Sequence, residues 1–151
     1  MALQEWLGNF TPTSVDTGFD NLIGLYKTVI KALTVCQPNQ YEPNEHYKLE
    51  LEIVEVLDGN GSPGRTLLRN YDKTSEVEVK KLLNELFTAG LSLKTDSVEA
   101  LEESMTRMPG ATVYVRAWEF KKDDGNMAQY WAPKAEKNMQ RLLKKGNASP
   151  F

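Results

Sequence analysis

The chain has 151 residues, of which 40% are hydrophobic and 26% charged, a composition typical of globular proteins. At this length, one domain with a substantial core is the simplest expectation. The net charge of −3 argues weakly against a general nucleic-acid binder, because such domains are often basic overall.

One cysteine, Cys36, and one histidine, His46, limit the chemistry that the chain can perform. They allow neither an intrachain disulfide nor the ligand set of a structural zinc site. We expect Cys36 in the core and His46 solvated in a turn-rich stretch, which disfavours a nucleophile–base pair. The acidic pairs at 102–103 and 123–124 do not form the carboxylate cluster that a nuclease needs. The sequence therefore predicts no enzyme, metal or cofactor.

The first 23 residues are mixed in character. "MALQEWLGNF" has no basic segment and no long apolar run, and nowhere does the chain reach the length of a membrane span. We therefore expect a cytoplasmic protein without a membrane partner. Residues 1–23 should form a short helix or an extended arm that packs on the domain.

Three strands are predicted in the first half of the chain. Residues 25–36 are rich in β-branched and aromatic residues, and residues 46–57 alternate between apolar and charged side chains. The stretch "DGNGSPG", 58–64, contains a G-x-G-x-x-G pattern, but a dinucleotide site needs a helix to follow it. The strand pattern "RTLLRNY" follows instead, so we interpret 58–64 as a turn into the third strand.

A helix is predicted over residues 75–89. Ser75 and Glu78 have the spacing of a capping box, and Gly90 is a typical C-terminal stop. The apolar residues follow the helical period and define one face that should be buried. That stripe consists of Val79, Leu82, Leu83, Leu86 and Phe87.

Four further elements complete the prediction. A shorter helix should start at Asp96 or Ser97, and a fourth strand covers "TVYVRAWEFKK", 112–122. After a tight turn, "MAQYWA" predicts a fifth strand over 127–132. A helix should then begin at Pro133, a residue favoured in the first helical turn, and end at Gly146.

The predicted order is three strands, a helix and two strands, the order of the OB-fold, a partly open five-stranded barrel. The predicted fold class is therefore mainly β with helices, with the long helix covering one end of the barrel. We divide the chain into an N-terminal arm (1–23), an OB-fold domain (24–132) and a C-terminal basic helix and tail (133–151). An open α+β sheet with the same strands and helices is the alternative fold.

The fourth strand has two unlike faces when it is analysed with a period of two. One face is small and apolar and suits a barrel interior, whereas the other carries three rings and a guanidinium. On an outer wall, such rings could stack on exposed bases, at about 1–3 kcal/mol per base. The first face consists of Val113, Val115 and Ala117, and the second of Tyr114, Arg116, Trp118 and Phe120. The alternative is that the aromatic face is core, covered by a helix or by the N-terminal arm.

Basic and aromatic residues elsewhere could extend a nucleic-acid-binding wall. Glu50 and Glu52 on the second strand count against such a wall, because phosphates favour Lys or Arg. The additional candidates are Arg65, Arg69 and Tyr71 on the third strand, Lys27 and Lys31 on the first, and Lys121 and Lys122 after the fourth.

Five segments, taken in order, resemble a known family: "GLYKTVI", "YKLELEIVE", "GRTLLRNYD", "LFTAG" and "PGATVYVRAWE". From about residue 19 to 132 the chain is similar to phage-encoded single-stranded DNA-binding proteins with an OB-fold. This family is found in replication and recombination gene clusters and was long described as a domain of unknown function. The resemblance implies sequence-independent binding of single-stranded DNA, no catalysis, phage replication or recombination proteins as partners, and a location in the host cytoplasm. It implies DNA contacts by Tyr114, Arg116, Trp118, Phe120, Arg65, Arg69 and Tyr71.

A second hypothesis is a non-catalytic interaction or structural module. An exposed aromatic face on an OB-like barrel serves equally well as an interface with another protein or with a second copy of the chain.

Overall fold

The structure is a computed structural model that describes residues 3–14, 24–59, 63–121 and 127–140. Its elements are α1 (Leu3–Leu7), β1 (Gly24–Cys36), β2 (His46–Gly59), β3 (Thr66–Asp72), α2 (Glu76–Thr88), α3 (Val98–Met105), β4 (Thr112–Lys121) and β5 (Met127–Lys134).

The five strands form one antiparallel sheet in the order β3-β2-β1-β4-β5. The sheet curls into a half-barrel that is compatible with an OB-like fold, which confirms the predicted mainly β class with helices. β1 is the shared strand: it pairs with β2 along its length and with β4 through Gly24–Val29. Three register shifts in the β1–β2 ladder mark irregularities of the kind that bend a strand.

Strict alternation determines which side chains enter the barrel. On β2 the predicted apolar face, which includes Leu49 and Leu51, is buried, while the intervening charged residues stay at the surface. The turn at 58–64 leads into β3 and not into a helix, as expected, although residues 60–62 lie outside the described ranges. None of the helices in the described ranges is long and apolar enough to cross a membrane.

The helix α2 begins and ends close to the predicted positions. The Ser75 hydroxyl accepts a hydrogen bond from the Glu78 amide at 3.3 Å, as an N-cap residue does. The Glu78 side chain, however, accepts from the backbone amide of Asp72 at 3.2 Å, so it joins the helix to the end of β3 instead of completing a capping box. Gly90, with a φ of 86°, terminates the helix in the left-handed region.

The buried face of α2 differs from the predicted stripe at one position. Phe87 is 43% exposed, so its place in the core was wrongly predicted. On the opposite flank of the stripe Glu85 is buried, and the inner face of β3 supplies it with hydrogen-bond partners. The other members of the stripe are buried as expected: Val79, Leu82, Leu83 and Leu86.

The N-terminal segment and α3 agree with the sequence analysis. Leu3 and Leu7 of α1 enter the core, and Trp6 packs against it with its ring 5.6 Å from that of Phe10. α3 starts after Ser97, whose hydroxyl accepts from an amide in the first turn of the helix. Residues 15–23 of the predicted arm lie outside the described residues.

The predicted start of the C-terminal helix at Pro133 is wrong. Pro133 belongs to β5, opposite Val115, and the strand continues to Lys134. β5 is an edge strand of the sheet, where a residue without a backbone N–H is tolerated. Helical residues follow from 136 to 140, and the remainder of the predicted helix lies outside the described residues.

His46 is not solvated, contrary to expectation. It opens β2 and is 2% exposed, with Nδ1 3.0 Å from the backbone oxygen of Asn44. Strand pairing places it opposite Cys36, which is half-buried instead of lying in the core. The predicted start of the second strand at residue 46 is confirmed, and only the exposure expected for His46 was wrong.

Candidate nucleic-acid interface

The outer face of β1 and β4 carries four of the predicted site residues. Val113 and Val115 are buried, so Tyr114 and Arg116, which alternate with them, are on the opposite face and half-buried. We call the surface formed by Lys27, Lys31, Tyr114 and Arg116 the outer wall. The predicted division of the fourth strand into two faces is thus confirmed for residues 113–116.

For the rest of the predicted aromatic face, the structure describes the strand pairing of the backbone. Trp118, Phe120 and Lys121 belong to β4, where Trp118 pairs with Tyr130 and Phe120 with Ala128. Their side chains lie outside the described residues, as does Lys122 altogether.

Cross-strand pairing brings a lysine and an aromatic ring together at the centre of the outer wall. Lys27 of β1 is directly opposite Tyr114 of β4, and on its other side it is opposite Glu55 of β2. Directly opposite residues in an antiparallel pair have Cβ atoms about 4.5–5.5 Å apart, so their side chains are in reach of each other. A phosphate at the lysine and a base at the ring could therefore belong to neighbouring parts of one nucleotide strand.

The two lysines of the outer wall differ from the lysine of β2 in their ion pairs. Within the part of the chain that the structure describes, neither Lys27 nor Lys31 forms an ion pair, and Lys31 is exposed. Lys48 on β2, in contrast, pairs with Glu50 at 3.2 Å. The outer wall thus differs electrostatically from the neighbouring surface of β2.

The β5 side of the outer wall is covered. Tyr114 is opposite Lys134 of β5, which is only 2% exposed although it lies on the outer face of the sheet. On the β1 side, Leu25 opposite Arg116 is also buried, whereas Lys27 opposite Tyr114 is half-buried. This partial cover agrees with the alternative that some of the aromatic face is packed against the chain itself.

Arg69 and Tyr71 do not belong to the outer wall, and their expected position is wrong. The β2–β3 register places Tyr71 opposite Tyr47, on the inner face, and Arg69 shares that face two residues before it. Tyr71 is 1% exposed. The two faces of β3 were therefore assigned the wrong way round. Leu68, which precedes Arg69, is the side chain that points outward.

Inside the half-barrel, Arg69 and Tyr71 converge on the buried carboxylate of Glu85. Arg69 forms an ion pair with Glu85 and donates a second hydrogen bond to the backbone oxygen of Trp131 at 2.5 Å. Its guanidinium also lies over the Trp131 ring, 3.8 Å from the centroid. The Tyr71 hydroxyl donates to the same carboxylate at 2.7 Å. Burial and the negative charge of Glu85 raise the pKa of Tyr71 well above its usual range, so this hydroxyl stays a donor.

A second polar cluster joins α3 to the barrel. Lys73 bridges Glu45 at 2.6 Å and Glu102 at 2.7 Å, and Glu102 accepts a hydrogen bond from the buried Tyr47 hydroxyl at 2.9 Å. Burial would lower the pKa of Lys73, but its two carboxylate partners outweigh this effect and raise it. Burial, followed by the interaction with Glu102, raises the pKa of Tyr47. These groups stabilise the fold and are engaged with one another.

Arg65 is exposed just before β3, apart from the outer wall. Two strand spacings, about 10 Å in all, separate β3 from β1. Between them, the outer face of β2 carries Glu50 and Glu52, as the sequence indicated. Arg65 therefore does not form one continuous basic surface with Lys27.

One exposed aromatic residue was missed by the sequence analysis. Tyr41, in the loop between β1 and β2, is 81% exposed. The Asn39 side chain accepts hydrogen bonds from the amides of Tyr41 and Glu42, at 2.8 and 2.9 Å, and so fixes the turn that carries the ring. The signal was available: an aromatic residue in "QPNQYEPNE", a segment that is otherwise polar and turn-forming.

Among the described residues, no three His, Cys, Asp or Glu side chains are grouped so that they could hold a metal ion. Comparison with known proteins adds no assignment: no protein-family model matches the chain, and no curated protein matches it.

Proposed function

We propose that this chain is a sequence-independent single-stranded DNA-binding protein of the phage replication and recombination type, and that DNA binds along the outer wall. The observation that carries the proposal is Lys27, without an ion pair among the described residues, directly opposite Tyr114. The OB-like strand order supports it, since such barrels bind oligonucleotides on an outer face. No catalytic step is assigned.

The outer wall offers the two kinds of contact that binding without sequence preference needs. Lys27 and Lys31 can neutralise phosphates and release their counterions, and the Tyr114 ring can stack on any base, because every base has a π face. The carboxylates of Glu50 and Glu52 repel phosphates from β2. The DNA strand is therefore expected to follow β1 and β4, with Trp118 and Phe120 on the same strand as further candidates.

Replacing Tyr114 by alanine tests the stacking contact. We expect Tyr114→Ala to weaken binding of a dye-labelled deoxythymidine oligonucleotide by about 1–3 kcal/mol, roughly 5- to 150-fold in Kd. Fluorescence anisotropy at low ionic strength measures the change. Phe87→Ala is the matched control, because Phe87 is a half-exposed aromatic residue on α2, outside the outer wall. Equal losses in both variants, or no binding by the unmodified chain, would contradict the proposal.

The second candidate function is a protein-interaction or structural module. Leu68 of β3 favours it, because this apolar side chain is 54% exposed on the outer face and could be buried against another protein. Under this hypothesis Tyr114 contacts a protein, such as a second copy of the chain. Sedimentation velocity over a range of concentrations, without DNA, separates the two: an oligomer that Tyr114→Ala dissociates favours the module, and a monomer that binds oligonucleotide favours the first proposal.

A further inference from the structure

The two edge strands of the sheet, β3 and β5, face each other across the open side of the half-barrel. In the described part of the chain they share no backbone hydrogen-bond ladder, and they are the two ends of the strand order. We call the gap between them the seam. In a closed barrel such a gap would be joined by main-chain hydrogen bonds, whereas here a side-chain contact joins β3 to β5.

The Arg69 side chain crosses the seam. Arg69 extends from β3, donates to the backbone oxygen of Trp131 on β5 at 2.5 Å, and lies 3.8 Å from the centre of the Trp131 ring. Its other terminal nitrogen pairs with Glu85 of α2. One guanidinium therefore connects three elements that are separate in the sequence.

The chemistry of arginine is needed for this set of contacts. Its planar fork presents several N–H donors at fixed angles, so one nitrogen can serve a carboxylate, the other a carbonyl, and the plane can stack on an indole. Tyr71 holds the second oxygen of Glu85 at 2.7 Å, so the carboxylate is oriented before it meets Arg69. A lysine could form an ion pair with Glu85 but could not make all three contacts at once.

We propose that Arg69 closes the barrel, because its side chain replaces main-chain pairing across the seam. Loss of its contacts frees β5 without unfolding the other strands. In the ranges that the structure describes, β5 pairs only with β4, so closure also fixes the strand that carries Tyr114 and Arg116. The inference depends only on contacts within the chain and does not require that the chain bind DNA.

Hydrogen–deuterium exchange on the full chain without DNA tests the closure role. Arg69→Lys keeps the charge beside Glu85 but loses the fork. A second variant, Arg69→Met combined with Glu85→Met, removes the bridge without leaving a buried carboxylate unpaired. In both variants we expect the amides of residues 127–134 to exchange at least tenfold faster than in the unmodified chain, while those of 47–53 in β2 keep their protection. Arg65→Lys, an exposed arginine beside the same strand, is the control and should leave both segments unchanged.

Two results would overturn the proposal. Unchanged exchange in β5 would show that α2 and β4 hold the strand without Arg69. Equal acceleration in β2 and β5 would show that Arg69 contributes to global stability and not to local closure.

Discussion

Asp72 is the residue at which three segments of the chain meet. Its carboxylate accepts hydrogen bonds from the amide and hydroxyl of Thr74, at 2.8 and 2.6 Å, and from the Asn44 side chain at 2.9 Å. These contacts, with those to Thr74 first, lower its pKa from the ordinary value of 3.8. The ionised carboxylate thus joins the loop before β2 to the turn that leads into α2.

Asp72 should make the stability of the fold depend on pH in the acid range. Because its pKa is lower in the folded chain than in the unfolded one, its stabilising contribution is complete above about pH 4 and is lost as pH falls through the folded pKa. We expect Asp72→Asn to be less stable than the unmodified chain at neutral pH, and the difference to shrink at lower pH.

Urea unfolding at a series of pH values between about 2 and 7 measures this difference. Asp58→Asn is the control, because Asp58 is exposed and its side chain forms no hydrogen bond within the described part of the chain. A stability difference between Asp72→Asn and the unmodified chain that stays constant across the range would refute the role of the ionised carboxylate.

At the level of single residues, the sequence predicts the exposure of apolar residues that alternate along a strand better than that of polar and charged residues. The alternation of Val113 and Val115 with Tyr114 was enough to assign both faces of that segment. The burial of Glu85 and the inward orientation of Arg69 could not be predicted, because their ion pair joins residues 16 positions apart in the sequence. A charged residue in a strand is ordinarily assigned to the surface, and that preference is overridden where a buried partner satisfies the charge.

Among the elements, α2 begins and ends close to the positions that the local sequence predicted. Its C-terminus depends on Gly90, whose φ of 86° is strained for any residue with a Cβ. A Cβ placed there would meet nothing within 4 Å, so backbone conformation alone decides the cost of a substitution.

Gly90→Ala should therefore destabilise the fold by about 1 kcal/mol, through the left-handed conformation it imposes on alanine. Gly90→Asn should cost less, because asparagine adopts this conformation more readily. Thermal unfolding of the two variants beside Ser92→Ala, an exposed control two residues on, measures the difference. Identical melting temperatures for the alanine and asparagine variants would contradict the explanation.

The C-terminal boundary of β5 could not be predicted from local sequence rules. Pro133 suits the first turn of a helix, and it equally suits an edge strand. The pairing of Pro133 with Val115 across the β4–β5 ladder decides for the strand. Local preference allowed both outcomes, and only a contact 18 positions away in the sequence separates them.

For the whole molecule, the distribution of charge matters more than its sum. The net charge of −3 includes acidic residues concentrated at 42–58 and 96–103, and one of them, Glu55, lies on the strand beside the outer wall, opposite Lys27. A local cluster of cations can attract a polyanion although the net charge is negative, most strongly at low ionic strength.

The order of strands and helices was predicted from the sequence because turns and periodicity are local. The closure of the sheet was not predicted, since it depends on a contact between β3 and β5.

The most direct test of binding at the outer wall is the salt dependence of affinity for a deoxythymidine oligonucleotide. For single strands, log K falls with log salt concentration with a slope of about −0.7 per neutralised phosphate. If Lys27 and Lys31 each contact a phosphate, the variant with both replaced by glutamine should have a slope about 1.4 smaller in magnitude. Replacing Lys81 and Lys94, which are exposed outside the outer wall, should leave the slope unchanged. An unchanged slope in the Lys27/Lys31 variant, or an equal change in the control, would contradict binding at the outer wall.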